Sequence, residues 1–274
     1  MIITNYKDLI EIRTASDCCV IVYVDDTTIG LELANIIIEI LTRALLANRP
    51  PWLCEYIPSY TSLLIEFSLY EVDHFAVNAL LKQLVSEAAS EIKHCVGEKS
   101  AVKKQLSCDQ ITNTSRKDQL GFLSAKRIHR IPVCYQLNSL QTDLAKVAKD
   151  KNISEDNVVN LHCTTVYRVF ATGFMPGFAY LGELPVELSQ PRLSKPRLKV
   201  PKGAVAIADR QTAIYPDESP GGWHIIGYTP LELLFNTTNV NSAESGHFEV
   251  LLKTGDYVEF YPVSESEYIN WVHS

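Results

Sequence analysis

Apolar residues keep two distinct periods between positions 1 and 90. Cys18-Cys19-Val20-Ile21-Val22-Tyr23-Val24 is a short β-branched run bounded by Asp17 and Asp25-Asp26, which predicts a strand. Asp26 or Thr27 is placed to cap a helix over about Ile29 to Ala47, where Ile29, Leu33, Ile36, Ile37, Ile40, Leu41 and Ala44 share one face. Asn48-Arg49-Pro50-Pro51 ends it. Leu53 to Ile57 and Leu63 to Phe67 read as two more strands around Pro58-Ser59-Tyr60-Thr61. A second helix starts after Asp73 and runs through Phe75, Val77, Leu80, Leu81, Leu84 and Val85. Two helices and at least three strands predict an N-terminal α/β sandwich domain over residues 1–90.

From Ser86 to Ala125 the period is lost, and charges of both signs alternate among Ser, Thr, Asn and Gln. That composition predicts a solvated linker or variable loop, placed at residues 91–127. Cys95, Cys108, His94 and His129 match no compact ligand spacing, so no metal is expected. Periodicity returns with a strand over Ile128 to Tyr135, a helix over Leu140 to Lys149, and a short helix capped by Ser154 and ending near His162. Beyond it the pattern is β. Thr165, Tyr167 and Val169 alternate with Val166, Arg168 and Phe170. Short runs follow at Gly203 to Ala208, Trp223 to Ile226, Leu231 to Phe235, His247 to Leu252 and Tyr257 to Tyr261. Many short strands with Gly/Pro turns predict a closed or nearly closed β-barrel over residues 128–274. The fold class is therefore α+β.

Bulk composition narrows the function classes. At 274 residues, 46% hydrophobic and 21% charged, the chain is an ordinary globular protein. A net charge of −7 leaves no electrostatic footprint for nucleic acid. Glu32, Asn35, Glu39, Thr42 and Arg43 interrupt the longest apolar run, so no membrane span is expected. Seven Cys without a CxxC pair, and no signal-like N-terminus, suggest a reducing, cytoplasmic setting.

The unusual chemistry lies between Val166 and Leu234. Nine of the twelve Gly and eight of the thirteen Pro fall between Gly173 and Gly255, a density suited to shaped loops on a rigid frame. There is no phosphate-loop, dinucleotide-binding, nucleophile-elbow or zinc-protease motif. What remains is Arg192, Lys195, Arg197, Lys199 and Lys202 on a Pro-stiffened segment, with Gln211 and Tyr215 flanking Thr212-Ala213. Arg192 and Arg197 can bind a carboxylate or phosphate by charge-assisted bonds, or simply face solvent. Gln211 and Tyr215 can orient an amide, or only end a strand. His162 is a base by residue type and a capping or packing residue by position. Trp223, after Gly221-Gly222, fits a core anchor better than a stacking ring.

Taken together, Gly173-Phe174-Met175-Pro176-Gly177-Phe178-Ala179-Tyr180-Leu181, Pro191-Arg192, Pro196-Arg197, Val200-Pro201-Lys202-Gly203-Ala204-Val205-Ala206-Ile207-Ala208, Gln211-Thr212-Ala213-Ile214-Tyr215-Pro216 and Ser219-Pro220-Gly221-Gly222-Trp223 resemble the family of 5-oxoprolinase B subunits. This family is also called allophanate hydrolase subunit 1 or the sporulation-kinase-inhibitor family. Ile131-Pro132-Val133-Cys134-Tyr135 and Tyr60-Thr61-Ser62-Leu63-Leu64 fit the same pattern. The resemblance implies an N-terminal α/β domain, a cyclophilin-like β-barrel, and partner subunits C and A that together hydrolyse 5-oxoproline to glutamate with ATP. Such a reaction needs cations for phosphate and a polar pair for the amide. Arg192 and Arg197 are assigned the first role and Gln211 and Tyr215 the second, as substrate-binding residues. Gln211 and His162 are the catalytic candidates, and no metal or organic cofactor is expected on this chain. Carboxyltransferase subunits of the allophanate and urea carboxylase type, and a non-enzymatic histidine-kinase inhibitor, are the alternatives. The sequence departs from the pattern at Gln136-Leu137, Asp209-Arg210, Ala213, Lys199 and Tyr228.

Overall fold

The computed structural model describes residues 6–47, 49–96, 127–236 and 248–273. The chain divides into two compact units, Met1–Ser124 and Ala125–Ser274.

The first unit is a four-stranded antiparallel sheet covered by helices. Its strands are β1 (Ile10–Ser16), β2 (Cys19–Val24), β3 (Leu53–Ser59) and β4 (Ser62–Phe67), in spatial order β1-β2-β4-β3. Strand β1 is an addition to the three strands read from the sequence. Val20, Val22, Val24, Leu63, Ile65 and Phe67 point to one face, where helices α2 (Leu31–Ala47) and α3 (His74–Glu87) bury Leu33, Ile37, Leu41, Val77 and Leu81. Asp73 caps α3 by accepting from the Ala76 amide at 2.8 Å. The cap ahead of α2 differs from expectation. Asp25 caps a single turn, α1 (Asp26–Ile29), and Gly30 at φ 86° redirects the chain before α2 begins. Asn35 is fully buried in α2, and its side-chain amide donates to the Tyr60 carbonyl at 2.9 Å. Residues 89–96 are helical, and Ala88, Ile92 and Cys95 join this core at helical spacing. The first six residues of the stretch expected as a linker, 91–96, are therefore helical. Residues 97–126 of it lie outside the described residues, Cys108 among them.

The second unit is a seven-stranded barrel. Its strands are β5 (Ile128–Val133), β6 (Val166–Thr172), β7 (Ala179–Gly182), β9 (Ala204–Ala208), β10 (Gln211–Ile214), β12 (His224–Tyr228) and β15 (Tyr257–Pro262). They run in the order β12-β9-β10-β7-β6-β15-β5. Two ribbons stand apart from it: β8 (Arg197–Val200) with β11 (Ser219–Gly221), and β13 (Leu234–Asn236) with β14 (Phe248–Val250). The sheet's two edges meet just past β5, where Cys134 and Tyr228 exchange backbone hydrogen bonds at 2.8 and 2.9 Å. Gly227 makes that approach possible. A Cβ there would lie 2.7 Å from Val133 and 2.9 Å from the Cys134 carbonyl.

One apolar cluster draws on all seven strands, including Val133, Val169, Leu181, Val205, Ile214, Ile226 and Val258, and so fills the barrel interior. Helices α4 (Leu144–Lys151) and α5 (Glu155–Cys163) add Leu144, Val147 and Val158 to it. Helix α4 starts later than Leu140 because Asp143 is already bound to β12. A further helix, α6 (Glu265–Val272), opens with a capping box between Ser264 and Glu267. Strand β6 does not alternate as expected. Five of its seven residues are buried, Arg168 among them, because both faces are covered. The Arg168 guanidinium donates to Tyr257 Oη at 3.1 Å and to the Gly255 carbonyl at 3.3 Å. Among the described residues no helix is long and apolar enough to cross a membrane.

Candidate functional site

Strict alternation on β9 separates two faces. Val205 and Ile207 enter the interior, while Ala204, Ala206 and Ala208 form part of a second cluster on the outer face. These alanines, with Ala213 on β10, make a shallow floor. Larger side chains rest on it: Phe178, Tyr215, Trp223 and the partly buried Tyr180. Their rings meet edge to face, Phe178 to Tyr180 at 4.9 Å and Phe178 to Tyr215 at 5.4 Å. Gly221 lies against Tyr215, since a Cβ there would be 2.4 Å from the phenol oxygen. Trp223, buried like Phe178 and Tyr215, is thus a core anchor beneath this face.

Arg192 sits on this surface. The chain is fastened on each side of it: Gln190 and Asp209 exchange backbone bonds, the His224 ring Nε2–H donates to the Pro191 carbonyl at 2.9 Å, and the Leu193 amide donates to the Gly222 carbonyl at 2.7 Å. The start of this segment is tied to α4, where Lys151 donates to the Ser189 carbonyl and Gln190 donates to Asp150 at 2.9 Å. The Arg192 side chain is 61% exposed, stands 5.8 Å from the Trp223 ring, and meets Asp209 only at 3.9 Å. A well-fixed backbone with a loosely held guanidinium describes a cation presented to solvent. Tyr215 faces it: burial raises the phenol's pKa, and the Arg192 and Arg197 guanidiniums pull it back in part. Gln211 lies on the same outer face of β10, two pleats from Tyr215.

The structure does not bring the other expected residues to this face in the expected role. Arg197 points its fork into the molecule, where one nitrogen donates to both oxygens of Asp143 at 2.6 and 2.8 Å and another to the Trp223 carbonyl at 3.2 Å. Its anion is therefore supplied by this chain. Lys199 and Lys202 likewise pair with Glu218 and Glu232. Asp143 was not legible as a partner, lying 54 residues from Arg197. It also accepts the Ile225 amide at 2.8 Å.

His162, expected as a candidate base, is a core residue. It is fully buried in the barrel interior, stacked on Phe260 with ring centroids 4.5 Å apart. Thr212 Oγ1 donates to the Ala206 carbonyl, so it accepts from His162 Nε2–H at 3.0 Å. The remaining nitrogen, Nδ1, accepts from Tyr135 Oη at 2.6 Å. Burial depresses the imidazole pKa to about 3, which keeps the ring neutral. Both nitrogens are used, and neither faces Arg192 or Gln211. Among the described residues no group of three or more metal-ligating side chains occurs, and His129 instead pairs with Asp256 at 2.9 Å.

A sequence model for the carboxyltransferase domain, subdomain C and D, matches residues 10–243. The chain belongs to this carboxyltransferase domain family. The match takes in both units and the whole Arg192–Trp223 face. Among its relatives, the 5-oxoprolinase B subunit of Bacillus subtilis is 35% identical over 218 residues, covering 80% of this chain and 79% of that protein. The protein of the same name from Escherichia coli O157:H7 is 43% identical over 139 residues, or 51% of this chain and 60% of that one. A crystal structure of TTHA0988 superposes with a TM-score of 0.64 at 28% identity, over 93% of this chain and 40% of the solved one. The urea carboxylase of Kluyveromyces lactis matches at a TM-score of 0.63 and 18% identity over 96% of this chain and 22% of that chain, a likeness of fold. This carboxyltransferase-type fold agrees with the barrel expected for the second unit.

Proposed function

We propose that this chain is the B subunit of an ATP-dependent 5-oxoprolinase, one half of a composite site completed by a C subunit and served by an A subunit. The observation that carries the reading is the 35% identity to the 5-oxoprolinase B subunit of Bacillus subtilis across 80% of the chain. The outer barrel face supports it chemically. Arg192 offers a charge-assisted partner for the substrate carboxylate. Gln211 orients the lactam amide, and Tyr215 and Tyr180 wall the surface. In this reading the lactam carbonyl oxygen takes the γ-phosphoryl group of ATP and ADP leaves. One water adds to the activated carbon and the C–N bond breaks to give γ-glutamyl phosphate, which a second water hydrolyses to glutamate and phosphate. Positioning and electrostatics carry most of such a step. The chain has no phosphate-loop motif, so nucleotide binding is assigned to the assembled complex.

The test is reconstitution. The chain is co-purified with its A and C partners, and 5-oxoproline-dependent ATP hydrolysis is measured together with glutamate release. Activity is expected only from the complete set. Glutamate release by this chain alone would overturn the composite site, and an inert complete complex would overturn the substrate. The family match favours one rival, a carboxyltransferase subunit. That reading requires a biotinylated carrier, and carboxyl transfer from carboxybiotin by the same preparation distinguishes it.

A further inference from the structure

We propose that Asp209 is a specificity-determining residue, an internal carboxylate that competes with a ligand's anionic group for Arg192. The proposal rests on the reading of Arg192 as the anion-binding cation. Asp209 stands at the tip of the β9–β10 hairpin at φ 51°, a left-handed conformation that Asp and Asn tolerate better than other side chains. Its backbone exchanges both hydrogen bonds with Gln190, two residues before Arg192. The bridge that places the cation therefore also places the carboxylate.

The separation is informative. A charge-assisted N–H···O⁻ bond closes to about 2.7–2.9 Å, whereas Arg192 Nε and Asp209 Oδ2 stand 3.9 Å apart with both side chains more than half exposed. Arg197, by contrast, is held at full bonding distance by Asp143, which is only 12% exposed. One arginine of the segment is locked and the other loosely screened. An exposed pair of this kind is weak enough to be displaced. Its negative charge is nevertheless close enough to oppose the arrival of a second anion. Asp209 thus lowers the affinity for anions while leaving neutral analogues nearly untouched, so the anions retained are those whose compact carboxylate can replace it at bonding distance.

The experiment uses this chain, carrying fluorinated tryptophan, in the complex reconstituted with its unlabelled A and C partners and without ATP, with the Trp223 resonance assigned from Trp223→Phe, titrated with 5-oxoproline. Asp209→Asn preserves the hairpin conformation and removes the charge. It is expected to tighten the apparent Kd by about two- to five-fold, the range of an exposed ion pair. Arg192→Gln weakens binding, and Asp209→Asn combined with Arg192→Gln binds like Arg192→Gln alone. An unchanged or weaker Kd in Asp209→Asn overturns the proposal. So does a gain that persists without Arg192, or a lack of saturable shift in every form. Turnover by the reconstituted complex reports separately on the substrate, so the two readings fail independently.

Discussion

Charging His162 would place a second N–H against Tyr135 Oη, inside a site with no solvent-exposed surface. The ring's folded-state pKa, about 3, lies below its ordinary value of 6.5. Folding therefore favours the neutral ring. The associated stability is complete above about pH 6.5 and is lost as pH falls from there toward 3. Each pH unit inside that window corresponds to at most about 1.4 kcal/mol. His162→Gln removes the titrating group, so its stability is expected to change less than that of the wild type between pH 7 and 4.5. Urea unfolding at several pH values measures this, and parallel profiles for the two proteins would refute it. His162 could be picked from the sequence as a residue that titrates near neutrality. Its actual setting depends on Thr212, Tyr135 and Phe260, which only the closed barrel assembles.

Between elements, the Arg197–Asp143 pair joins β8 to the start of α4, and Asp143 joins both to β12 through Ile225. Arg197→Ala leaves a carboxylate that is only 12% exposed without its cation. Because the arginine is about one-third exposed, solvent screening moderates the cost, and about 1–3 kcal/mol of lost stability is expected. Thermal unfolding checks this, and Asp143→Asn with Arg197→Ala should cost less than the sum of the two single changes. An unchanged Tm for Arg197→Ala would show that the pair does not fasten these elements. Local signals account for much of the element map: Asp73 and Ser154 cap helices where expected. Signals for the missed pieces were present as well. Ile10 and Ile12 alternate with Glu11 and Arg13 on β1, Ser264-Glu265-Ser266-Glu267 spells the capping box of α6, and Val85, Ala88, Ile92 and Cys95 continue a helical face.

At the scale of the molecule, among the described residues, the first unit's core shares no residue with the two clusters of the second. Residues 125–274 expressed alone are accordingly expected to unfold in one cooperative transition in urea, and a broad, non-cooperative profile would count against two self-sufficient units. Arg192, Gln211 and Tyr215 stand out in the sequence as candidates because of their residue types among Gly and Pro. Neither Asp143 as the partner of Arg197 nor the alanine floor beneath Tyr215 stands out in this way, because helix placement and strand pairing bring these residues together only in the folded unit. That pairing also sets an order of events during synthesis. Strand β5 opens the barrel unit in the chain, yet its ladder partner is β15, more than a hundred residues later, joined in parallel from Tyr257 opposite Ile128 to Pro262 opposite Val133. The ribosome makes β5 well before that partner exists. Until Tyr257–Pro262 emerges, one edge of the growing sheet carries open backbone groups, a state exposed to mispairing and suited to chaperone protection.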